Sequence, residues 1–475
     1  MSLLRTDISL GVLQLFRFND PYRLLFMFAL LLAGFLPLLF LAPIPTYPVL
    51  RAVLVGETAN TGLRLYAEAI DSTAPLAAWA FQLLDVFFGR SLPAHSCVAA
   101  GILFLEAAIF VRLLITNRVY PDSTYVPGFV FVVLCFLSFD FFTVTPALLG
   151  SLMLLLALNF LFRELEFREQ RDETIFLLGF YLGAATLFLF SYIIFFIGTL
   201  ALLAIYTRPT GRRILLLLLG FCFLHLAFTT YHFYHGTLAY WWTHFYRANF
   251  TVATTAYVSG AGLFGLVIIP LAYLLFSLLV MSREARFTKY QSQLFQVMFW
   301  WMIFAVVEWL ITRERTPQSF ITFLPSASYF ISYYLLLIRR RWIAEWMTRL
   351  LVATILAGFY LHRAGTPGIV DYRKLRVSAT SPFGGYTRVM ALAPQRDFYL
   401  HHRLGGGFID HNLATPLLEA GYMESVERLS SMIIKNPPDV IWDPEDRLAA
   451  HFVHLPRLAS QYRREGDRYY RRVSR

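Results

Sequence analysis

The sequence predicts a mainly α-helical, polytopic membrane protein: a bundle of about eleven transmembrane helices followed by a small α/β domain. Three observations predict it. Of 475 residues, 57% are hydrophobic and 17% aromatic, and the mean hydropathy is +0.57. A soluble domain has no use for that much apolar surface, whereas a lipid-embedded bundle needs it. Apolar windows of about 18 to 20 residues recur along the chain, the length that crosses a hydrocarbon core about 30 Å thick. Finally, the basic residues gather in alternate connections between those windows.

In chain order the windows lie near 22–42, 95–115, 125–142, 144–162, 174–189, 190–207, 213–230, 261–281, 294–312, 322–338 and 345–362. The first starts too far from the N-terminus and runs too long for a cleaved signal peptide, so it reads as a retained span. The fifth and sixth form one apolar run, which divides into two short helices near Ser191. Cys97, Cys135 and Cys222 fall in or beside apolar segments and read as small packing residues.

Arg5, Arg17 and Arg23 precede the first span; Arg163, Arg168 and Arg171 follow the fourth; Arg208, Arg212 and Arg213 follow the sixth. Arg283, Arg286 and Lys289 follow the eighth, and Arg339, Arg340 and Arg341 the tenth. Excess Lys and Arg in short loops marks the cytoplasmic side. One orientation satisfies every loop, with the N-terminus inside and the C-terminus outside. It describes a multi-pass protein of the cytoplasmic (inner) membrane, surrounded by membrane lipids. The same distribution removes nucleic acid as the explanation of the net charge of +11. Residues 1–362 then form the bundle, including a first extracytoplasmic loop at 43–94, and 363–475 an extracytoplasmic domain.

The C-terminal piece alternates strand and helix signals, which suggests the α/β unit. RVMALAP (388–394) reads as a strand, 418–435 as a helix, and DVIWDPED (439–446) as a buried strand ending in a turn. GGG at 405–407 has no following Lys or helix and reads as a turn. The basic, aromatic end REGDRYYRRVSR reads as a solvated or headgroup-facing tail. In 231–250, His232 and His235 could share a helix face and bind metal. The aromatic density there favours an interfacial helix with His as belt residues, and no metal site is assigned. Glu106 sits inside an apolar span, as a proton-path residue or as a neutral acid bonded to a neighbouring helix. Asp140 and Glu308 lie near span ends and could border a cavity.

The first hydrophilic loop is acidic, with Glu57, Glu68 and Asp71. Its segment GETANTGLRLYAEAIDSTAPLAAWAFQLLDVFFGRS (56–91) resembles the first outer loop of the GT-C membrane glycosyltransferases, which use sugars carried on polyprenyl phosphate. In that superfamily an acid opens the loop, a tyrosine-containing helix follows, and a Pro-Leu-x-x-Trp stretch and a Phe-Gly precede the second span. Glu57, Tyr66, Pro75 to Trp79 and Phe88-Gly89 match in that order. RERTPQSFITFLPSASYFISYYLL (313–336) resembles the late outer loop, where basic residues precede a Leu-Pro. KNPPDVIWD (435–443) is similar to a strand of the outer domain. Many GT-C enzymes open the first loop with an adjacent acid pair, and here Glu57 stands without one. The segments TYVPGFVFVVL and FLLGFYLGAATLFLFSYIIFF also resemble an uncharacterised family of polytopic membrane proteins from the Bacteroidota, which carries no known activity.

The GT-C resemblance implies a lipid-linked sugar donor and a transferase reaction. Such a transfer needs a carboxylate to activate the acceptor and cations to stabilise the leaving phosphate. Glu57 is the first candidate for the base and Asp71 the second. Arg313 and Arg315 are candidates for the phosphate, since a guanidinium grips two oxygens at once; Arg64 is a reserve and Tyr66 a further substrate-binding candidate. Each has a plain alternative. Glu57 and Asp71 suit turns or helix starts, and the arginines suit a helix end. No cofactor is assigned, and a divalent metal is left open. Two other classes stay open: a non-catalytic scaffold of this architecture in an envelope-biogenesis or secretion complex, with membrane-protein partners, and, more weakly, a transporter.

Overall fold

The computed structural model describes residues 11–17, 20–41, 44–165, 171–251, 254–284, 287–363, 370–377, 383–393, 397–418, 423–465 and 469–472. Arg5, Arg168 and Arg286 of the basic connections lie outside the described residues, as do Pro394, 419–422 and 473–475. Eight described segments are long and apolar enough to cross a membrane: Tyr22–Phe40, Leu92–Thr116, Pro146–Leu165, Gly211–Tyr234, Gly260–Met281, Lys289–Ile311, Pro317–Leu337 and Arg341–Arg363.

The other three expected spans are helical but short. Val126–Leu134 has nine residues, all buried, and gives way to 3-10 turns up to Phe142. At 1.5 Å per residue it reaches only about 14 Å, under half of a hydrocarbon core. Such a half-length helix is tolerated at membrane depth because protein surrounds it. The expected split near Ser191 occurs at Leu189, whose extended backbone ends Asp172–Phe188 before Ile193–Tyr206 begins. Asp172–Phe188 packs closely on Gly211–Tyr234. A methyl group on Gly179 or Gly183 would strike the backbone of Leu217 or Phe221, the small-residue contact that lets membrane helices approach.

The piece at 43–94 is mostly helix. Pro48 and Pro75 stand in the first turns of Tyr47–Asn60 and Pro75–Phe88, where a missing N–H costs nothing. The two helices pack together, tied by Asn60 Nδ2 to Asp85 Oδ2 at 2.6 Å. Pro75–Phe88 turns Ala77, Ala78 and Phe81 inward and leaves Trp79, Leu83, Val86 and Phe87 exposed, the two-faced pattern of a helix lying in a headgroup layer.

Strand β1 (Thr255–Ala256) pairs in parallel with β2 (Glu314–Arg315). The C-terminal region contains β3 (Arg388–Ala391), β4 (Arg403–Leu404), β5 (Val440–Trp442), β6 (Tyr462–Glu465) and β7 (Tyr469–Arg472), in the order β4-β3-β5-β7-β6. β4, β3 and β5 are parallel, and β5, β7 and β6 antiparallel. Both expected strands and the turn at Gly406 are present, and the helix is Met423–Lys435. The basic end, expected to be a tail, is instead two antiparallel strands of the sheet: Tyr462 and Tyr470 drop into the core beside Ile441 while Arg463, Arg464, Arg471 and Arg472 face out. Ile70 of the first loop lies in that same core, its N–H donating to Gly407 O at 2.7 Å. Gly407 is needed there, because a methyl group would strike the Glu68 carbonyl.

Candidate functional site

Three segments meet beneath this junction. Helix Tyr47–Asn60 presents Arg51, the one charged residue of an otherwise apolar first half. The loop after it carries Tyr66 at φ +70°, a left-handed conformation uncommon for a bulky side chain. Three bonds hold it: Tyr66 N–H to Ala69 O at 2.8 Å, Tyr66 Oη to Thr73 O at 2.7 Å, and Arg428 Nη2 to Tyr66 O at 2.8 Å. The fixed turn delivers Asp71 and Ser72. From the late loop, β2 pairing with β1 sets the backbone of Glu314 and Arg315 beside Arg313.

The side chains converge on Arg51. Its Nε and Nη2 donate to Asp71 Oδ1 at 2.9 and 2.7 Å, Nη2 to Ser72 Oγ at 2.9 Å, and Nη1 to Glu314 Oε1 at 2.6 Å. Asp71 is fully buried, and its other oxygen accepts Thr73 N–H at 3.0 Å. Arg313 donates to Ser72 Oγ and, at 3.2 Å, to Asp410 Oδ2. Burial alone would lower the pKa of Arg51, but Asp71, Glu314 and Asp410 outweigh it and raise the value above the ordinary one. Tyr66 is raised as well, by burial first and then by Asp71. Among the described residues no three His, Cys, Asp or Glu side chains are placed to hold a metal ion. The carboxylates here surround a guanidinium.

This group closes one end of a cavity of about 620 Å³, where Arg51, Ser72, Thr73, Arg313 and Glu314 line the wall. The rest is largely apolar, with Phe188, Phe190, Ile194, Ile197, Phe245, Phe250 and Ile311. Ile197 and Phe250 are 55% and 73% exposed, so the apolar wall runs out to the protein surface. Glu308 also lines the cavity, accepting from Ser191 Oγ at 2.6 Å. Asp140 reaches the wall through Gln318, whose N–H it accepts at 2.9 Å. Glu106 accepts from Ser151 Oγ of the neighbouring helix at 2.6 Å.

Asp71 and Arg313 are thus brought together through Arg51 and Ser72: Arg51 donates to both Asp71 and Ser72, and Arg313 donates to Ser72. Glu57 is not among the described residues lining the cavity. It is gripped by both Nε and Nη2 of Arg90, the latter at 2.6 Å, and Arg90 also donates to the carbonyls of Tyr399 and His402 at 2.9 and 3.1 Å. Glu57 therefore lies in a joint between the first loop and the C-terminal region. Arg64 is half exposed and pairs with Glu68 at 3.0 Å, which in turn holds Lys435 at 2.5 Å. Arg315 lies against the Trp309 ring, 5.2 Å from its centroid, and donates to Leu310 O at 2.5 Å. His232 Nδ1 bonds Thr237 Oγ1 at 2.9 Å and its ring stacks on Trp241; His244 Nδ1 bonds Tyr240 O at 2.9 Å. The sequence alone does not single out Arg51, Glu314 or Asp410. Arg51 had a signal, a lone cation in an apolar helix, whereas nothing local marks Asp410.

No family model matches the chain, and no curated protein sequence matches it. Solved structures do. The crystal structure of ArnT from Cupriavidus metallidurans bound to undecaprenyl phosphate shares 12% identity, with 95% of this chain and 98% of that one covered and a TM-score of 0.55. The apo-state crystal structure of ArnT from the same organism shares 14% identity, with 93% and 97% covered and a TM-score of 0.54. At this identity the likeness is one of fold, and the fold is the one that the GT-C resemblance implied.

Proposed function

We propose that the chain is an integral membrane glycosyltransferase that moves a sugar from a polyprenyl-phosphate donor to an acceptor on the extracytoplasmic side. The observation that carries the reading is the cavity itself, which joins a pair of guanidinium groups to an apolar wall that runs out to the protein surface. A long isoprenoid fits such a wall and a phosphate fits such a pair. That an ArnT of the same fold was crystallised with undecaprenyl phosphate supports it.

In this reading Arg51 and Arg313 hold the donor phosphate. Glu314 is the base in place of Glu57 or Asp71. Asp71 has both oxygens engaged and no exposure, and Glu57 is taken up by Arg90 away from the cavity, whereas the Glu314 side chain is 28% exposed on its wall. Glu314 removes the proton of the acceptor's nucleophilic group, which attacks the anomeric carbon. The bond from that carbon to the phosphate oxygen breaks, and its electron pair leaves on polyprenyl phosphate, whose charge the guanidinium groups offset. Asp71 orients Arg51.

The test is transfer of labelled sugar from polyprenyl phosphate in membranes carrying each variant. Glu314→Gln should lose about 10² to 10⁴ in rate, and Arg313→Ala about 10² to 10³, with insertion unchanged. Unaltered transfer by Glu314→Gln would remove the base assignment. One observation favours the scaffold reading, namely that the acid matching the family's first-loop position is committed to a structural joint. Failure of the purified protein to bind undecaprenyl phosphate would decide for that reading.

A further inference from the structure

Two guanidinium groups, Arg51 and Arg313, and the Glu314 carboxylate line the polar end of the cavity, and two further carboxylates, Asp71 and Asp410, pair with those guanidinium groups from behind the wall. Arg51 is tightly held, by Asp71 at 2.7 Å and Glu314 at 2.6 Å. Arg313 touches Ser72 and, at 3.2 Å, Asp410, which also lies 3.7 Å from Arg51. His244 adds no positive charge here, since burial first and then Arg428 lower its pKa to about 4. A phosphate arriving at this end meets two cations already outnumbered by three carboxylates, and like charges crowded in a poorly solvated site repel strongly. One carboxylate must give way.

Asp410 is the one placed to do so. Asp71 is locked by two donors of Arg51 and by Thr73 N–H, and the Glu314 carboxylate accepts from Arg51 Nη1 at 2.6 Å. The ion pairs of Asp410 with Arg313 and Arg51, at 3.2 and 3.7 Å, are longer than those of Asp71 and Glu314 with Arg51, and it comes from a different part of the chain, the turn that leads from Gly407 into the short helix His411–Ala414. Its other oxygen accepts Asn412 N–H at 3.1 Å and caps that helix. Nε of Arg313 is buried and donates to no acceptor, leaving one edge of the guanidinium ready for an incoming oxygen. The turn is tied to the first loop, with Ile409 and Asp410 N–H both donating to Ile70 O, at 3.3 and 3.0 Å.

We propose that Asp410, supplied by the C-terminal region, occupies the place of the donor phosphate on Arg313 and is exchanged for it, so that this region responds to donor occupancy. The proposal rests on the reading of the cavity as a polyprenyl-phosphate site. Asp410 is here a positioning residue, acting through Arg313. The consequence is a contest: whatever weakens Asp410 on Arg313 strengthens the phosphate.

The experiment measures binding of undecaprenyl phosphate to the full chain in lipid nanodiscs, for wild type, Asp410→Asn, Arg313→Ala and the double variant. Asn keeps the oxygen that caps the helix, so the fold is spared. Asp410→Asn should bind at least about fivefold tighter, as relief of a charge repulsion of this kind requires, and the gain should vanish in the Arg313→Ala background. A residue that merely braced the site would give weaker binding instead, and equal or weaker binding by Asp410→Asn overturns the proposal. A second readout uses the wild type alone: hydrogen exchange at the Ile409 and Asp410 amides should quicken when undecaprenyl phosphate binds, and unchanged exchange in the bound protein also overturns it. If neither wild type nor Asp410→Asn binds the lipid, the underlying reading of the cavity fails, which is a distinct result.

Discussion

Glu57 and Glu314 differ in what their neighbours leave them free to do. Glu57 meets Arg90 through both oxygens, and Arg90 grips the carbonyls at the start of the C-terminal sheet. Glu57→Gln should therefore lower thermal stability, because it leaves a largely buried guanidinium without its charge partner. Its effect on the chemical rate should be well below that of Glu314→Gln, as melting and transfer assays on the same preparations would show; equal rate losses would return the base to Glu57. Glu68 makes a pH-dependent contribution. Its pKa is lowered: burial would raise it, but the bonds from Lys435 and Arg64 outweigh burial. A depressed carboxylate stabilises the folded state in full above its ordinary value of 4.5 and stops doing so as pH falls through the lowered one. The docking of Lys435 on the first loop should accordingly loosen in acid, and Glu68→Gln should flatten that acid limb in a pH series of melting curves.

Among the elements, the closest-packed pair rests on glycines. Gly179 and Gly183 lie one turn apart on Asp172–Phe188, against the backbone of Gly211–Tyr234. Neither backbone can yield, so Gly183→Leu should force the helices apart and cost about 1 to 3 kcal/mol, the usual range for overpacking. Ser at the same position should cost less. Melting in detergent compares the two, and equal stability of Leu and Gly would mean that the helices are not pressed together there. The first of these helices ends at Phe188, which lines the cavity, so the Leu variant should also weaken lipid binding.

At the scale of the whole molecule, the first loop and the C-terminal region form one surface: Ile70 lies in the core of the sheet, Arg90 holds carbonyls of the C-terminal region, and Asp410 N–H donates to Ile70 O. That union agrees with the charge pattern of the connections, which sends both pieces to the same side. A reporter active only outside the cytoplasm should work when fused after Arg475 and be silent after Arg171. The reverse pattern would place the cavity's polar end on the cytoplasmic side and remove extracytoplasmic acceptors from the proposal.

The sequence by itself determined the class of molecule. Hydropathy in windows of about 20 residues, spaced basic loops and strand and helix periods are local quantities, and they located the helices, the division beside Ser191, β3, β5 and the helix Met423–Lys435. They could not tell a full crossing from the half-length helix Val126–Leu134, because apolar composition is the same whether lipid or protein surrounds a segment. Nor could they see that Tyr462 and Tyr470 pull a basic end into the sheet. The site was legible only in part. Asp71 and Arg313 could be singled out as charged residues in the right loops, but their company depends on Arg51, Glu314 and Asp410, drawn from three distant stretches. Whether a carboxylate faces a cavity, as Glu314 does, or is consumed in a joint, as Glu57 is, depends on which cation lies opposite it, and only the tertiary packing of those stretches decides that.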